Sequence, residues 1–153
     1  MTLGLRLRNQ LKRTDPMTDT SYRDRMDALS LGRSLTRSID AGENTGDLLR
    51  LVRQFIMDTD RGDSQRVSEN IAAAPRPTGD RRWDALVAGV VEDIAYRHGV
   101  SVPAWAMEPE RSTADRWWFV TSFPALHPTA FVETPASLSN RGVFIRRASL
   151  VNV

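Results

Sequence analysis

The segment Pro75–Gly79 constrains the fold of this chain more than any other feature of its sequence. Two prolines and a glycine lie within these five residues, so no helix can continue through them. Thr78 or Asp80 can cap a helix that begins directly afterwards and that Gly99 ends. Its apolar residues recur on one broad face: Trp83, Leu86, Val87, Val90, Ile94 and Ala95. The sequence therefore predicts a subdomain junction at 75–79, followed by a helix that faces a core.

Residues 21–74, ahead of this junction, predict a helical N-terminal subdomain. The apolar residues of 21–39 keep to one face of a first helix, which Gly32 should weaken. The segment Asp40–Gly46 contains two glycines and cap-forming side chains, and it predicts a loop. The apolar residues of 48–56 then predict a second helix.

The acidic segment 58–69 matches a calcium-binding loop only in part. Asp63 stands where such a loop needs a glycine for its sharp turn, and Arg66 stands where a ligand position is expected. We therefore interpret the segment as a solvated loop that leads into a short helix around Val67 and Ile71.

The C-terminal half, residues 75–153, predicts an aromatic-rich helical module. Prolines at 124, 128 and 135 favour short helices over strands, and Val143–Ile145 is the one segment that fits a short strand. The predicted fold is mainly α: a small multi-helix domain with short, proline-punctuated C-terminal helices and at most one short strand pair. Six large aromatic residues fall within 27 positions and must be buried against something: Trp105, Trp117, Trp118, Phe119, Phe123 and Phe131.

Composition excludes several classes of protein. Hydrophobic residues make up 41% of the 153 and charged residues 26%, as in a globular protein. No apolar run approaches the roughly 20 residues that cross a bilayer, so we expect a soluble protein with no membrane partner. The absence of cysteine excludes disulfides and fits the cytoplasm. Because 19 acids are interleaved with 21 bases, strong nonspecific DNA binding is not indicated.

The first 20 residues predict a disordered basic leader. Arginine and lysine interrupt each of its apolar stretches, so it does not match a secretory signal. An ordinary polar start follows Met17, and translation could begin at either Met1 or Met17.

No enzymatic motif occurs in the sequence. It contains no phosphate-binding loop, nucleotide-binding glycine fingerprint, nucleophile elbow or zinc-protease helix. His98 and His127 stand where capping or packing explains them better than catalysis or metal binding. Glu108 and Glu110 lie in a polar loop, where carboxylates are usually solvated. We therefore predict no catalytic residue, no metal ligand and no cofactor.

Arginine beside tryptophan marks the strongest candidate for a binding site. This combination is typical of the energetic centres of protein interfaces, and single-stranded nucleic acids are bound in the same way. It also occurs where a buried tryptophan pair carries an arginine salt bridge, and the sequence leaves these interpretations open. The candidate partner-binding residues are Trp105, Arg116, Trp117, Trp118, Phe119, Arg146 and Arg147.

The N-terminal helix pair suggests DNA binding as an alternative function. A helix-turn-helix would use such a pair, but the predicted connection is longer than the usual three or four residues. The second helix offers only Arg50 and Arg53 as contacts to DNA.

Four ordered motifs carry a resemblance to a known family. They are PTGDRRWDAL at 77–86, HGVSVPAW at 98–105, DRWWF at 115–119 and RGVFI at 141–145. Together they resemble the C-terminal module of actinobacterial helix-turn-helix regulators, and the resemblance covers residues 75–153. The preference for arginine over lysine fits a GC-rich source of this kind.

The resemblance implies an antitoxin-like role, since proteins with this module are often described as antitoxins and can be encoded beside nucleotidyltransferase-type toxins. It therefore implies a regulatory protein that acts by binding a partner, which would be a toxin enzyme. The family also carries a DNA-binding domain ahead of the module, and residues 21–57 match that domain poorly. The sequence does not determine the oligomeric state.

Overall fold

A computed structural model describes residues 25–113 and 116–151 of the chain. The predicted leader at 1–20 lies outside the described residues. The described chain is mainly α-helical with one short strand pair, which confirms the predicted fold class. Its α-helices are α1 (Ala28–Asp40), α2 (Thr45–Asp60), α3 (Ser64–Ala72), α4 (Arg81–His98), α5 (His127–Glu133) and α6 (Ala136–Ser139). The 3-10 turns are η1 (Ala104–Met107), η2 (Pro109–Arg111), η3 (Pro124–Leu126) and η4 (Arg147–Ser149).

The first helix begins later than the sequence predicts. Asp27 caps α1 by accepting a hydrogen bond from the backbone N–H of Ser30, whose hydroxyl in turn accepts from the N–H of Asp27. Met26 therefore lies outside the helix, where its N–H donates to Asp58 Oδ2 over 3.0 Å.

The connection between α1 and α2 is shorter than predicted. Asn44 caps α2 by accepting from the N–H of Asp47 at 3.0 Å, so Thr45 and Gly46 belong to the helix. Residues 41–44 alone form the loop, which is the length of a helix-turn-helix turn. The prediction of a connection longer than four residues was therefore wrong.

The fourth helix is the centre of the fold. Asp80 caps its start and Gly99, with a φ of 63°, ends it, as predicted. Every residue from 83 to 91 is buried, so this helix is covered on all sides rather than on one face. It contacts α2, α3, α6, η1, η2 and β2.

One hydrophobic core continues across the irregular segment Pro75–Gly79. Core residues come from α1, α2 and α3 on one side of this segment and from α4, η1, α6 and β2 on the other. Gly32 permits a close approach here, because a Cβ at this position would lie 2.5 Å from Cβ of Pro75. The glycine that the sequence marks as a weakness of α1 thus makes room for the other half of the chain.

The strand pair consists of β1 (Trp118–Phe119) and β2 (Val143–Phe144), which run parallel. Val143 and Phe144 confirm the predicted strand, but β1 lies where short helices were expected. The N–H of Trp118 donates to the carbonyl of Gly142 at 2.7 Å. The position of β1 against β2 is therefore set by a residue that is distant from β1 in the chain. Local sequence therefore could not predict β1.

Candidate protein interface

Five aromatic rings form a connected cluster around Phe144. Its ring centroid lies 5.1 Å from Trp117, 5.0 Å from Phe119 and 5.2 Å from Phe131. Phe119 also stacks on His127 at 4.3 Å. These separations are those of favourable aromatic pairs. We call these five residues the aromatic surface.

The rings of the aromatic surface differ strongly in exposure. Phe144 is only 3% exposed, whereas Trp117 is 68% and Phe131 is 50% exposed. Val132 and Phe123, which are close in sequence to rings of the cluster, are also exposed. Large apolar residues that pack on a buried ring and remain exposed to solvent are typical of interaction sites.

A strand pairing and the hydrogen bonds of one threonine hold the aromatic surface in place. Pairing of β1 with β2 puts Phe119 opposite Phe144. The hydroxyl of Thr134, just after α5, accepts the N–H of Ile145 at 2.8 Å, and its single proton is shared between the carbonyls of Ala130 at 2.5 Å and Ile145 at 3.0 Å. These bonds fix α5, and with it Phe131, against β2.

The four predicted tryptophan and phenylalanine positions fall into different environments. Trp105 is buried in the core, and Arg111 lies 5.1 Å from its ring. Trp118 is partly buried, with its ring 5.3 Å from that of Trp83 in an edge-to-face contact. Trp117 and Phe119 belong to the aromatic surface. The structure therefore does not bring Trp105 and Trp117 into one site.

The three predicted arginines are also separated. Arg116 is exposed and lines a shallow pocket with Trp117. Arg147 is exposed, and its backbone N–H donates to Glu133 at the end of α5. Arg146 is partly buried and lines a different pocket, together with Phe123.

Arg82 contacts Trp118, the neighbour of Trp117 in the chain. Its guanidinium lies 5.3 Å from the Trp118 ring and also forms an ion pair with Asp80 at 2.8 Å. The hydrogen bond from Arg82 lowers the pKa of the Asp80 carboxyl, against the opposite effect of burial.

The predicted DNA contacts are both engaged within the protein. Arg50 forms an ion pair with Asp47 one turn earlier in α2. Arg53 Nη1 donates to the carbonyl oxygen of Ser149 at 3.2 Å, which ties α2 to the C-terminal turn η4. Only Arg50 is exposed.

The two histidines have structural contacts. His98 occupies the last turn of α4, as predicted, with Nε2 2.8 Å from Asp60 Oδ1. His127 Nε2 lies 3.1 Å from the carbonyl oxygen of Thr121 and stacks on Phe119. Within the described part of the chain, no group of three or more histidine, aspartate or glutamate side chains is placed to hold a metal ion.

Three residues of the aromatic surface were not among the predicted site residues: Phe131, Phe144 and His127. One signal was present, because His127 and Phe131 are four residues apart and so share one face of a helix. No comparable signal places Phe144 beneath them, since its neighbours come from β1 and α5 through tertiary pairing.

Comparisons with protein-family models, curated proteins and solved structures found no match to this chain. The resemblance of residues 75–153 to a regulator module therefore stays a prediction. Separately, none of the helices in the described ranges has the length and apolar character needed to cross a membrane.

Proposed function

We propose that this protein is an antitoxin-like regulatory protein that binds a partner protein through the aromatic surface. The observation that supports this proposal is the exposure of Trp117, which is 68% accessible although its ring packs against Phe131 and against the buried ring of Phe144. The partner, as the resemblance of the C-terminal module implies, would be a toxin enzyme of the nucleotidyltransferase type in the cytoplasm.

Binding through this surface is favourable because its rings are already fixed and lose little conformational entropy when a partner docks. Tryptophan is enriched among the residues that dominate binding energies, and rigid aromatic side chains lose little conformational entropy on binding. Phe144 and the β1–β2 pair hold Trp117 and Phe131 in position before any partner arrives. Docking would then bury exposed apolar area without reorganisation of the fold.

The test begins with affinity capture of tagged protein from its native host, followed by measurement of the captured enzyme's dissociation constant. We expect Trp117→Ala and Phe131→Ala each to weaken binding at least tenfold, which is typical of such central residues. Tyr96→Ala is the matched control, because Tyr96 is an aromatic residue on α4 that is 78% exposed and makes no ring contact with the aromatic surface. Loss of binding in the Tyr96 variant alone would refute the proposed surface.

DNA binding is the second candidate function, and the four-residue connection between α1 and α2 favours it. The fixed position of Arg53 argues against it. A duplex carrying the upstream region of the gene should then bind in a salt-sensitive way, and Arg50→Gln should weaken that binding. Equal affinity for a random duplex would exclude operator recognition.

A further inference from the structure

A pocket of about 310 Å³ lies between the start of α2 and the segment that follows β1. Its walls combine hydroxyl groups with apolar side chains and a single guanidinium. The apolar part comes mainly from Leu49, Val120, Leu126 and Ile145, and the hydroxyls from Thr45, Thr121, Ser122 and Ser149.

The charged group of this pocket is Arg146, whose Nε atom is buried. That nitrogen has no hydrogen-bond partner among the described residues. A buried guanidinium nitrogen without an acceptor is costly, because it has lost its water without gaining a replacement. Nε itself is closed to solvent, but Arg146 as a residue is only partly buried, lines the pocket and forms no ion pair among the described residues. An anionic group that enters the pocket would therefore balance the charge of its guanidinium.

The electrostatic surroundings also favour an anion. None of the described residues that line the pocket is acidic. Thr45, one of the lining residues, is the first residue of the 16-residue helix α2. Arg53 contacts the carbonyl of Ser149, another lining residue, and adds a second positive charge nearby.

The pocket is continuous with the aromatic surface. Phe123, which is 68% exposed, forms part of its wall, and Thr121 connects it to His127 through the carbonyl contact at 3.1 Å. A chain that lies across Trp117 and Phe131 could therefore place a side chain here as well.

We propose that this pocket binds an aspartate or glutamate side chain of the partner protein, with the carboxylate accepting from Arg146 and the apolar walls holding its methylene groups. This inference rests on the proposed function. It adds that the partner carries an acidic side chain next to the residues that contact the aromatic surface. A fork of guanidinium donors matches a carboxylate geometrically, and such bonds are stronger than neutral ones.

The test uses a library of random twelve-residue peptides displayed on phage and selected on the purified full-length protein. We expect the enriched peptides to share an acidic residue flanked by apolar residues. A synthetic copy of one such peptide with Glu→Gln or Asp→Asn should bind at least tenfold more weakly, the loss expected for a charge-assisted hydrogen bond. Enrichment of apolar peptides without an acid, or of no peptide at all, would overturn the inference.

Two variants keep the test independent of folding defects. Ser122→Asp places a carboxylate at an exposed position of the pocket wall, so it should compete for Arg146 and lower peptide affinity at least tenfold. Ser122→Asn has nearly the same shape and no charge, and it should bind as the wild type does. Arg146→Gln should resemble Ser122→Asp.

The same peptides separate this inference from the proposed function. If Trp117→Ala weakens binding but Ser122→Asp and Ser122→Asn bind equally, the pocket inference is wrong and the aromatic surface stands. If Ser122→Asp weakens binding and Trp117→Ala has no effect, the pocket stands and the proposed function fails. Binding of duplex DNA that Ser122→Asp abolishes, without binding of acidic peptides, would assign the pocket to phosphate and overturn the inference.

Discussion

The indole Nε1 of Trp105 donates a hydrogen bond of 3.0 Å to the backbone carbonyl oxygen of Ile71. Ile71 lies in the last turn of α3, where carbonyl groups have no partner within the helix. The bond therefore ties η1 to α3 on opposite sides of the Pro75–Gly79 segment. Trp105 is part of the core, although the sequence grouped it with the residues of the binding site.

Replacement of Trp105 by phenylalanine should destabilise the protein. The variant leaves the carbonyl of Ile71 buried and unpaired, which costs about 1–3 kcal/mol. Urea unfolding followed by circular dichroism measures the loss. The matched control is Trp117→Phe on the exposed surface, where we expect a change within about 0.5 kcal/mol. Equal effects of the two variants would contradict the assignment of Trp105 to the core.

Replacement of Glu92 by glutamine should have a larger effect. Glu92 pairs with Arg141, and the two side chains are 15% and 8% exposed. Arg141 also donates to the carbonyls of Ser137 and Ala106, each at 2.6 Å, so it joins α4, α6 and η1. Removal of one partner leaves a buried charge unbalanced, at a cost of about 3 kcal/mol in the free energy of unfolding.

The control for Glu92→Gln is Asp93→Asn. Asp93 pairs with Arg97 in a more exposed position, where such pairs contribute about 1 kcal/mol or less. Both variants replace an acid by its amide at neighbouring positions of α4. If urea unfolding gives the same stability for the two, the Glu92–Arg141 pair does not anchor the C-terminal half.

Replacement of Asp80 by asparagine should reduce stability in a pH-dependent way. Asparagine preserves the cap of α4 but removes the ion pair with Arg82 and the favourable charge at the helix start. Because Arg82 lowers the folded-state pKa of Asp80, the stabilisation is complete above the ordinary value of 3.8 and is lost as the pH falls through the lowered value.

We expect Asp80→Asn to cost about 0.5–1 kcal/mol at pH 7, and this deficit to shrink below pH 3.8. Urea midpoints measured between pH 7 and pH 3 give the comparison. Arg82→Gln removes the same pair from the other side and should show the same trend. A deficit that is constant over this range would rule out the ion pair as its origin.

Local signals predicted the helices well where caps and breaks surround them. Asp80 and Gly99 bound α4 as expected, and Val67 and Ile71 lie in the short helix α3. The start of α1 and the length of the following loop were wrong, because Asp27 and Asn44 cap their helices at positions that apolar periodicity does not reveal. Capping depends on a few side-chain hydrogen bonds, whereas periodicity reports only which face is buried.

The exposed residues of the site could not be separated from the core by composition. Trp105, Trp117 and Trp118 are chemically identical, yet they are buried, exposed and partly buried respectively. Trp105 is buried through its contact with Ile71 of α3, and Trp118 differs from Trp117 because it pairs with Val143, 25 positions away in the chain. A contact between segments this distant leaves no periodic signal in either one.

The sequence by itself determined the mainly helical class, the break at Pro75–Gly79 and the limits of α4, because proline, glycine and capping residues act on the backbone within a few positions. Only the tertiary structure decided that Gly32 accommodates Pro75, that Arg53 is held by Ser149, and that Trp117 stands exposed above Phe144. These features depend on which distant segments pack together, and close packing selects that arrangement for the whole core at once rather than for any one segment.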